Sequence, residues 1–137
     1  MYEGWVGDDY LVLFSESEIA AANDRYGFEK LLPGFRVLGL RGWDDFIVQD
    51  SAGKCFSIPT VPVDPRYLES FRIPDPKTEV APDLRFVGKI KWYTKPLAFG
   101  GDPNIGENCV WVTHEQHSQL VSLWNQRYRK FSGDTSL

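Results

Sequence analysis

Two histidines and a cysteine lie near the end of the chain in an arrangement that suggests a metal site. Cys109 precedes His114 and His117, and zinc binds thiolate and imidazole ligands. The helical zinc-protease motif places its histidines four residues apart with Glu between them, so that both imidazoles face one ion, whereas these two are three apart. A metal-dependent hydrolase using these three residues is therefore an alternative. The favoured interpretation places His117 in the packing of a helix and His114 in solvent.

A glycine-rich segment at residues 100–106 has some features of a phosphate-binding loop. It lacks the Lys-Ser/Thr of a P-loop, and no predicted helix opens at its end, so it indicates a turn. No serine stands in a nucleophile-elbow context that would favour acyl transfer.

Pairs of acidic residues recur at Asp8-Asp9 and Asp44-Asp45. Glycoside hydrolysis uses two carboxyl groups that converge on one bond. Neighbouring side chains of a strand point to opposite faces, so Asp44 and Asp45 are not expected to converge. These pairs are interpreted as surface charge.

Five tryptophans are the other notable feature. Trp5 and Trp43 each follow a glycine and stand near acidic residues, a setting in which an aromatic ring can anchor a partner, although core packing is equally compatible. Trp92, Trp111 and Trp124 are predicted to pack in the core.

Length and composition define the class of protein. The 137 residues are enough for one domain with its own core, and 42% hydrophobic with 25% charged residues is typical of a packed globular protein. The first residues lack the basic leader of a signal peptide, and no run approaches the ~20 apolar residues that cross a bilayer. Two distant cysteines favour a reducing compartment. The sequence therefore predicts a soluble cytoplasmic protein that does not enter a membrane.

The net charge of −4 is unevenly distributed along the chain. Residues 1–70 carry 12 acidic and 6 basic side chains, whereas residues 71–137 carry 7 acidic and 9 basic ones. Nucleic acid rewards clustered Lys and Arg, so the acidic half argues against it. An acidic surface suits a basic protein partner, or else is simply solvated.

Local patterns predict an antiparallel meander in the first half. The apolar run at residues 10–14 predicts a buried strand, and Ser15 with Glu18 forms a capping box for a short helix that runs to about Arg25 and closes at Gly27. Three further strands are predicted at residues 35–40, 45–49 and 54–58.

The second half is divided from the first by prolines. Residues 60–63 form at most an edge strand, residues 64–71 allow one helical turn, and residues 72–84 are expected to be an exposed loop. Strands are then predicted at residues 86–93 and 108–112.

The last predicted helix is the clearest element. Thr113 and Gln116 form a second capping box. An apolar stripe at helical spacing follows, formed by His117, Leu120, Val121, Trp124, Tyr128 and Phe131. The predicted fold class is α+β: a mostly antiparallel sheet with a short N-terminal helix and a longer C-terminal helix packed on it.

Residues 3–64 resemble the SUKH superfamily, which includes yeast cell-wall regulators and many bacterial immunity proteins. The resemblance lies in the order of its parts: EGWVGDDYLVLF, the helix EIAAANDRY, LPGF, a strand that ends in glycine, a Gly-Trp turn, and a strand before PTVPVD. In the family an N-terminal helix precedes the Glu-Gly opening, so either that helix is absent or the true start lies upstream of Met1. A further departure is Arg41-Gly42-Trp43-Asp44-Asp45, where relatives often carry a glycine- and acid-rich run.

The resemblance implies a single SUKH-like domain over residues 1–137, without catalysis or cofactor. It also implies a role in neutralising a toxin delivered by contact-dependent or type VI secretion. The hypothesis is an immunity-type protein whose acidic half meets a basic toxin, and a regulatory scaffold is a further alternative. The candidate partner-binding residues share an exposed acidic or aromatic character and are Trp5, Asp8, Asp9, Trp43, Asp44, Asp45 and Asp50.

Overall fold

The computed structural model describes residues 2–73, 83, 85–93 and 109–131. A six-stranded antiparallel sheet runs in the order β1 to β6, and β7 pairs with β8 in a separate hairpin. The α+β class, the mostly antiparallel sheet and the longer C-terminal helix are confirmed. The elements are β1 (Tyr2–Val6), β2 (Asp9–Leu13), α1 (Glu16–Tyr26), α2 (Phe28–Leu31), β3 (Phe35–Arg41), β4 (Asp45–Asp50), β5 (Cys55–Pro59), β6 (Glu69–Ser70), β7 (Ile90–Tyr93), β8 (Cys109–Val112) and α3 (His114–Phe131).

Both long helices begin at capping boxes, as the sequence predicts. The Ser15 backbone N–H donates to the Glu18 carboxylate at 2.8 Å, and the Glu18 N–H donates to the Ser15 hydroxyl at 3.4 Å. Thr113 and Gln116 exchange the equivalent bonds at 2.9 and 3.1 Å. Gly27 ends α1 in the left-handed conformation, which glycine adopts without a steric penalty.

The core lies between one face of the large sheet and the helices. Because side chains alternate along a strand, Tyr10, Leu40 and Phe46 share this face. The rings of Tyr26 and Phe28 contact that of Phe46 with centroids 5.0 and 5.2 Å apart. Aromatic edge contacts of this kind add to the apolar area that they bury.

A β-bulge in β3 brings two backbones unusually close. Val37 pairs with Val48 and Gly39 with Ile47, so Leu38 is the extra residue. A Cβ atom at Gly39 would overlap the carbonyl oxygen of Val12 on β2. Only glycine fits between these strands.

The chain that leaves β5 is held by one buried amide. Asn125, on α3, donates to the carbonyls of Thr60 and Val121 at 2.7 and 2.8 Å and accepts from the Val63 N–H at 2.6 Å. Residues 60–63 thus form a bend, with a cis Val61–Pro62 peptide, in place of the possible edge strand. Residues 65–67 form the predicted helical turn, as a 3-10 helix.

Several boundaries differ from the sequence-based expectation. Strand β7 begins at Ile90 because residues 85–88 form a turn in which Gly88 has φ 75°. Most of the expected loop at 72–84 and the glycine-rich segment 100–106 lie outside the described residues. In the described part of the chain, none of the helices combines the length and apolar character needed to cross a membrane.

We expect Gly39→Ala to lower the free energy of unfolding by about 3 kcal/mol, because the added methyl group must displace the β2 backbone. Gly53→Ala is the matched control: Gly53 has φ 87° and no neighbouring atom within 4 Å of a built Cβ, so its loss is limited to about 1 kcal/mol of conformational strain. Urea unfolding of both variants tests this, and equal losses would contradict the steric explanation.

Candidate protein-binding site

Two turns lie side by side at one end of the large sheet, which we call the two-turn end. The first joins β1 to β2 at residues 7–8, and the second joins β3 to β4 at residues 42–44. The pairing of Leu11 with Arg41 sets the two hairpins next to each other, and the Gly42 N–H donates to the Tyr10 carbonyl at 2.8 Å. The sequence-selected residues that meet here are Trp5, Asp8, Asp9, Trp43, Asp44 and Asp45.

Asp50 does not join them, because it lies at the opposite end of β4. Its carboxylate accepts from the backbone N–H groups of Ala52 and Lys54 at 3.0 and 2.9 Å. These bonds are those of an aspartate that stabilises a turn. Asp50 therefore lies apart from the other candidate partner-binding residues.

Trp43 occupies an unusual backbone conformation. Its φ of 64° lies in the left-handed region, where a bulky side chain is a true outlier. The indole is only 8% exposed and stacks on the Tyr10 ring at 4.8 Å with a 22° interplanar angle. The ring therefore offers a partner almost no surface of its own, and it fixes the turn that carries Asp44.

Five rings from both halves of the chain form what we call the aromatic cluster: Trp5, Tyr10, Trp43, Phe86 and Trp111. The Phe86 ring lies 5.1 Å from that of Trp43 and stacks on that of Trp111 at 5.3 Å. Trp5 contacts Tyr10 edge-on at 5.3 Å. The cluster joins the large sheet to the β7–β8 hairpin.

The three tryptophans assigned to the core behave differently. Trp92 is 6% exposed, as predicted, and the half-buried Trp124 packs against the core. Trp111 is 44% exposed, so its assignment to the core is wrong. It pairs with Lys91 across the hairpin, on the side away from the buried Ile90 and Trp92, and only its inner side is covered by the cluster.

Two carboxylates that sequence reasoning did not select hold the cluster together. Glu3 accepts from the Tyr10 hydroxyl at 2.8 Å and from the Gly88 N–H at 3.2 Å. Asp83 accepts from the Trp5 indole at 3.4 Å and pairs with Arg85 at 2.7 Å. Burial and then Glu3 raise the pKa of Tyr10, and Arg85 lowers that of Asp83. No local motif reveals the contacts of Glu3 with Gly88 and of Trp5 with Asp83, which join residues about 80 positions apart.

The acids of the two-turn end, together with Glu69 on β6, form what we call the acidic patch: Asp8, Asp9, Asp44, Asp45 and Glu69. Arg41 lies among them, with its guanidinium 3.4 Å from the Asp9 carboxylate. Burial raises the pKa of Asp44 to about 6, although Lys91 opposes the shift. Burial also raises the pKa of Asp45, and Glu69 and Asp9 add to that rise against Arg41. The patch therefore carries more negative charge than its neighbours neutralise.

The two histidines are packed against aromatic rings. His117 is fully buried, with Nδ1 2.6 Å from the Tyr26 hydroxyl, and the Trp92 ring lies 5.5 Å away. His114 is half-buried and both of its ring nitrogens are enclosed, so the expectation that it lies in solvent is wrong. Within the described residues no three His, Cys, Asp or Glu side chains could together hold a metal ion, and the side chain of Cys109 lies outside them.

Comparison with known proteins returns no relative. The chain matches no protein-family model, no curated protein and no solved structure. The resemblance of residues 3–64 to the SUKH superfamily therefore stays a prediction from the sequence pattern, and function is argued from the geometry.

His117 makes stability depend on pH. Burial lowers its pKa to about 3, with the charges of His114 and Arg25 contributing, whereas the ordinary value is 6.5. Below pH 6.5, His117 becomes protonated in the unfolded chain but stays neutral in the folded chain. The free energy of unfolding therefore falls by about 1.4 kcal/mol for each pH unit. We expect urea unfolding between pH 7 and 4.5 to show a steeper loss for the wild type than for His117→Gln. Parallel pH profiles would contradict a buried neutral His117.

Trp43→Ala should cost about 3 to 5 kcal/mol of unfolding free energy, because it empties a buried position in the aromatic cluster. Trp111→Ala removes a ring that is already 44% exposed and should cost less than half as much. Thermal and urea unfolding compare the two variants. A larger loss for Trp111→Ala would show that the exposed ring, not Trp43, holds the hairpin to the sheet.

Proposed function

We propose that this protein is a non-enzymatic binding module of the immunity type, which neutralises a cognate bacterial toxin by covering a basic surface of that toxin. The observation that carries the proposal is the acidic patch, a group of crowded carboxylates held on a rigid end of the sheet. Asp8, Asp44 and Glu69 are exposed there. The alternative function, a regulatory scaffold, would use the same acidic patch but would bind a partner other than a toxin.

Electrostatics favour a cationic partner. A carboxylate whose pKa is raised by burial and by neighbouring carboxylates loses part of its favourable free energy as a charged group. Lys or Arg side chains brought by a partner would reverse that loss, and the surrounding negative field would speed their approach. Asp44 and Asp45 both have raised pKa values of this kind.

The patch is also held in one shape before a partner arrives. The Asp44 carbonyl accepts from the Thr60 N–H at 2.9 Å and from the Thr60 hydroxyl at 3.2 Å. Beside it, Trp43 is locked into the aromatic cluster. A surface that is ordered in the free protein loses less conformational entropy on binding, which supports tight inhibition.

The toxin as partner comes from the resemblance to the SUKH superfamily, whose immunity members meet toxins delivered by contact-dependent or type VI secretion. The proposal therefore includes a cytoplasmic location, where such a toxin acts after entry. The metal-dependent hydrolase receives no support from the described geometry, because no three His, Cys, Asp or Glu side chains lie together in the part of the chain that the structure describes.

The direct test is co-expression with the product of each adjacent gene, followed by purification of the complex and measurement of growth. A neighbour that is toxic alone and harmless with this protein, and that co-purifies with it, is the expected result. If no neighbouring gene product binds, the immunity assignment fails and the regulatory scaffold becomes the better interpretation.

Charge reversal locates the surface. Asp8→Lys combined with Asp44→Lys should weaken binding of the co-purified toxin by at least about tenfold and flatten its dependence on salt. Asp8 and Asp44 are exposed residues, but the carboxyl group of Asp44 lies close enough to the packed interior for its pKa to be raised, so circular dichroism should check that the double variant folds. Asp24→Lys with Glu29→Lys makes the same change in net charge at exposed positions on α1 and α2 and should bind normally. Equal losses for the two pairs would mean that net charge, and not the acidic patch, governs binding.

A further inference from the structure

The two imidazoles of α3 lie in its first turn, and three of their four ring nitrogens are buried without a hydrogen-bond partner. These atoms are both ring nitrogens of His114 and Nε2 of His117. The fourth, Nδ1 of His117, lies 2.6 Å from the hydroxyl of Tyr26, the last residue of α1. Residues three apart on a helix share one side of it, so the two imidazoles act on the same contact. A buried polar atom without a partner costs free energy, and the pair therefore weakens the packing that it belongs to.

The surroundings of His117 oppose a positive charge. The rings of Phe46 on β4 and Trp92 on β7 lie edge-on to the imidazole, with centroids 6.4 and 5.5 Å away. The charged and titratable groups that act on it, besides the Tyr26 hydroxyl, are Arg25 of α1 and His114 of α3, and both disfavour protonation. None of these elements supplies a carboxylate that would stabilise an imidazolium at this position.

His114 is also held in its neutral form. Its imidazole lies edge-on to the ring of Phe14, with centroids 6.4 Å apart. Glu3 on β1 and Glu18 on α1 favour a charge there, but burial and then Arg25 outweigh them, so the pKa of His114 is lowered. The folded chain thus resists protonation at two neighbouring positions of α3.

The second half of α3 is held to the fold by hydrogen bonds. Asn125 is bonded to the bend at residues 60–63. The Arg129 guanidinium donates to the Leu31 carbonyl at 2.6 Å, at the end of α2. These bonds involve no group that titrates between pH 4 and 7, so this half of the helix keeps its attachment as the pH falls.

The first half of α3, residues 114–121, is attached differently. In the described part of the chain, its one hydrogen bond to another element is that between His117 and Tyr26. The capping bonds of Thr113 with Gln116 stay within the start of the helix itself. Attachment of this half therefore depends on packing around the two imidazoles.

We propose that His114 and His117 form an acid-sensitive latch: below about pH 6.5 both imidazoles take up protons, and residues 114–121 separate from α1 and the large sheet while the second half of α3 stays attached. The separated segment unravels, because so short a helix is not stable in water without packing. Each histidine that is neutral in the packed helix and titrates normally in the open one shifts the opening equilibrium by about tenfold per pH unit. The latch does not rest on the proposed function, since it concerns the packing of this chain alone.

Amide hydrogen exchange between pH 6 and 4.5 tests the latch. After correction for the intrinsic exchange rate at each pH, the exchange of amides 118–121 gives the opening constant of the first half of α3. We expect this constant to exceed that of the β4 amides and to rise by more than about tenfold, and up to about a hundredfold, for each pH unit lost. If amides 118–121 open only together with β4, or if their opening constant does not change with pH, the latch is excluded.

Substitutions assign the protons. His114→Gln and His117→Gln each remove one titrating group and should reduce the rise to at most about tenfold per pH unit, and the double variant should be nearly independent of pH. Leu120→Ala is the matched control: it removes apolar packing from the same half of α3, so it should open more at every pH and keep the wild-type pH dependence. Circular dichroism at pH 7 checks folding. If His117→Gln does not fold, His114→Gln decides alone, since a pH dependence equal to that of the wild type would overturn the two-histidine latch.

Discussion

The stack of Trp43 on Tyr10 is the contact on which the two-turn end depends. It requires Trp43 to adopt a left-handed backbone, which costs about 1 to 2 kcal/mol for a residue with a side chain. The indole N–H is also buried without a hydrogen-bond partner in the described structure. Both costs are offset because the ring is enclosed by aromatic neighbours from strand, turn and hairpin. The same enclosure leaves the turn with one conformation, and the position of Asp44 follows from it.

The aromatic cluster sets the relative positions of the large sheet, the turn at Trp43 and the β7–β8 hairpin. Phe86 touches Tyr10, Trp43 and Trp111, so it links the sheet, the turn and the hairpin at one point. Glu3 and Asp83 then fix the segment that carries Phe86 by hydrogen bonds to backbone and indole groups. Hydrogen bonds at the edge of the aromatic cluster have a preferred direction, so they keep the hairpin from sliding along the large sheet. Apolar contact alone does not impose such a direction. The two-turn end and the β7–β8 hairpin therefore keep a fixed relation to each other.

Features that depend on interactions within a few residues are predicted from the sequence, whereas those that depend on distant residues are missed. Ser15 with Glu18, Thr113 with Gln116, and the left-handed Gly27 act within a few residues, so their patterns predict both long helices and the end of α1. Strands β3 to β5 follow from local apolar runs joined by turn residues. The exposure of Trp111 and two of the three hydrogen bonds of Asn125 depend on partners tens of residues away. Composition alone does not distinguish a buried Asn or an exposed Trp from the usual case. The clustering of six of the seven candidate residues follows from strand register. Asp50 lies apart from them because it is at the opposite end of β4.

The carboxylates of the acidic patch are only partly neutralised within the fold. Arg85 is already paired with Asp83 at 2.7 Å, and so does not serve the carboxylates of Asp44 and Asp45. The Lys91 ammonium lies over the Trp43 ring, and its attraction for the Asp44 carboxylate only partly offsets the burial that raises the pKa of Asp44. The acidic patch thus retains negative charge that a cationic partner can neutralise. Crowded carboxylates with raised pKa values reduce the stability of the fold, and Lys or Arg side chains of a partner would recover that free energy, which is the strongest physical reason to regard this end of the molecule as a binding surface.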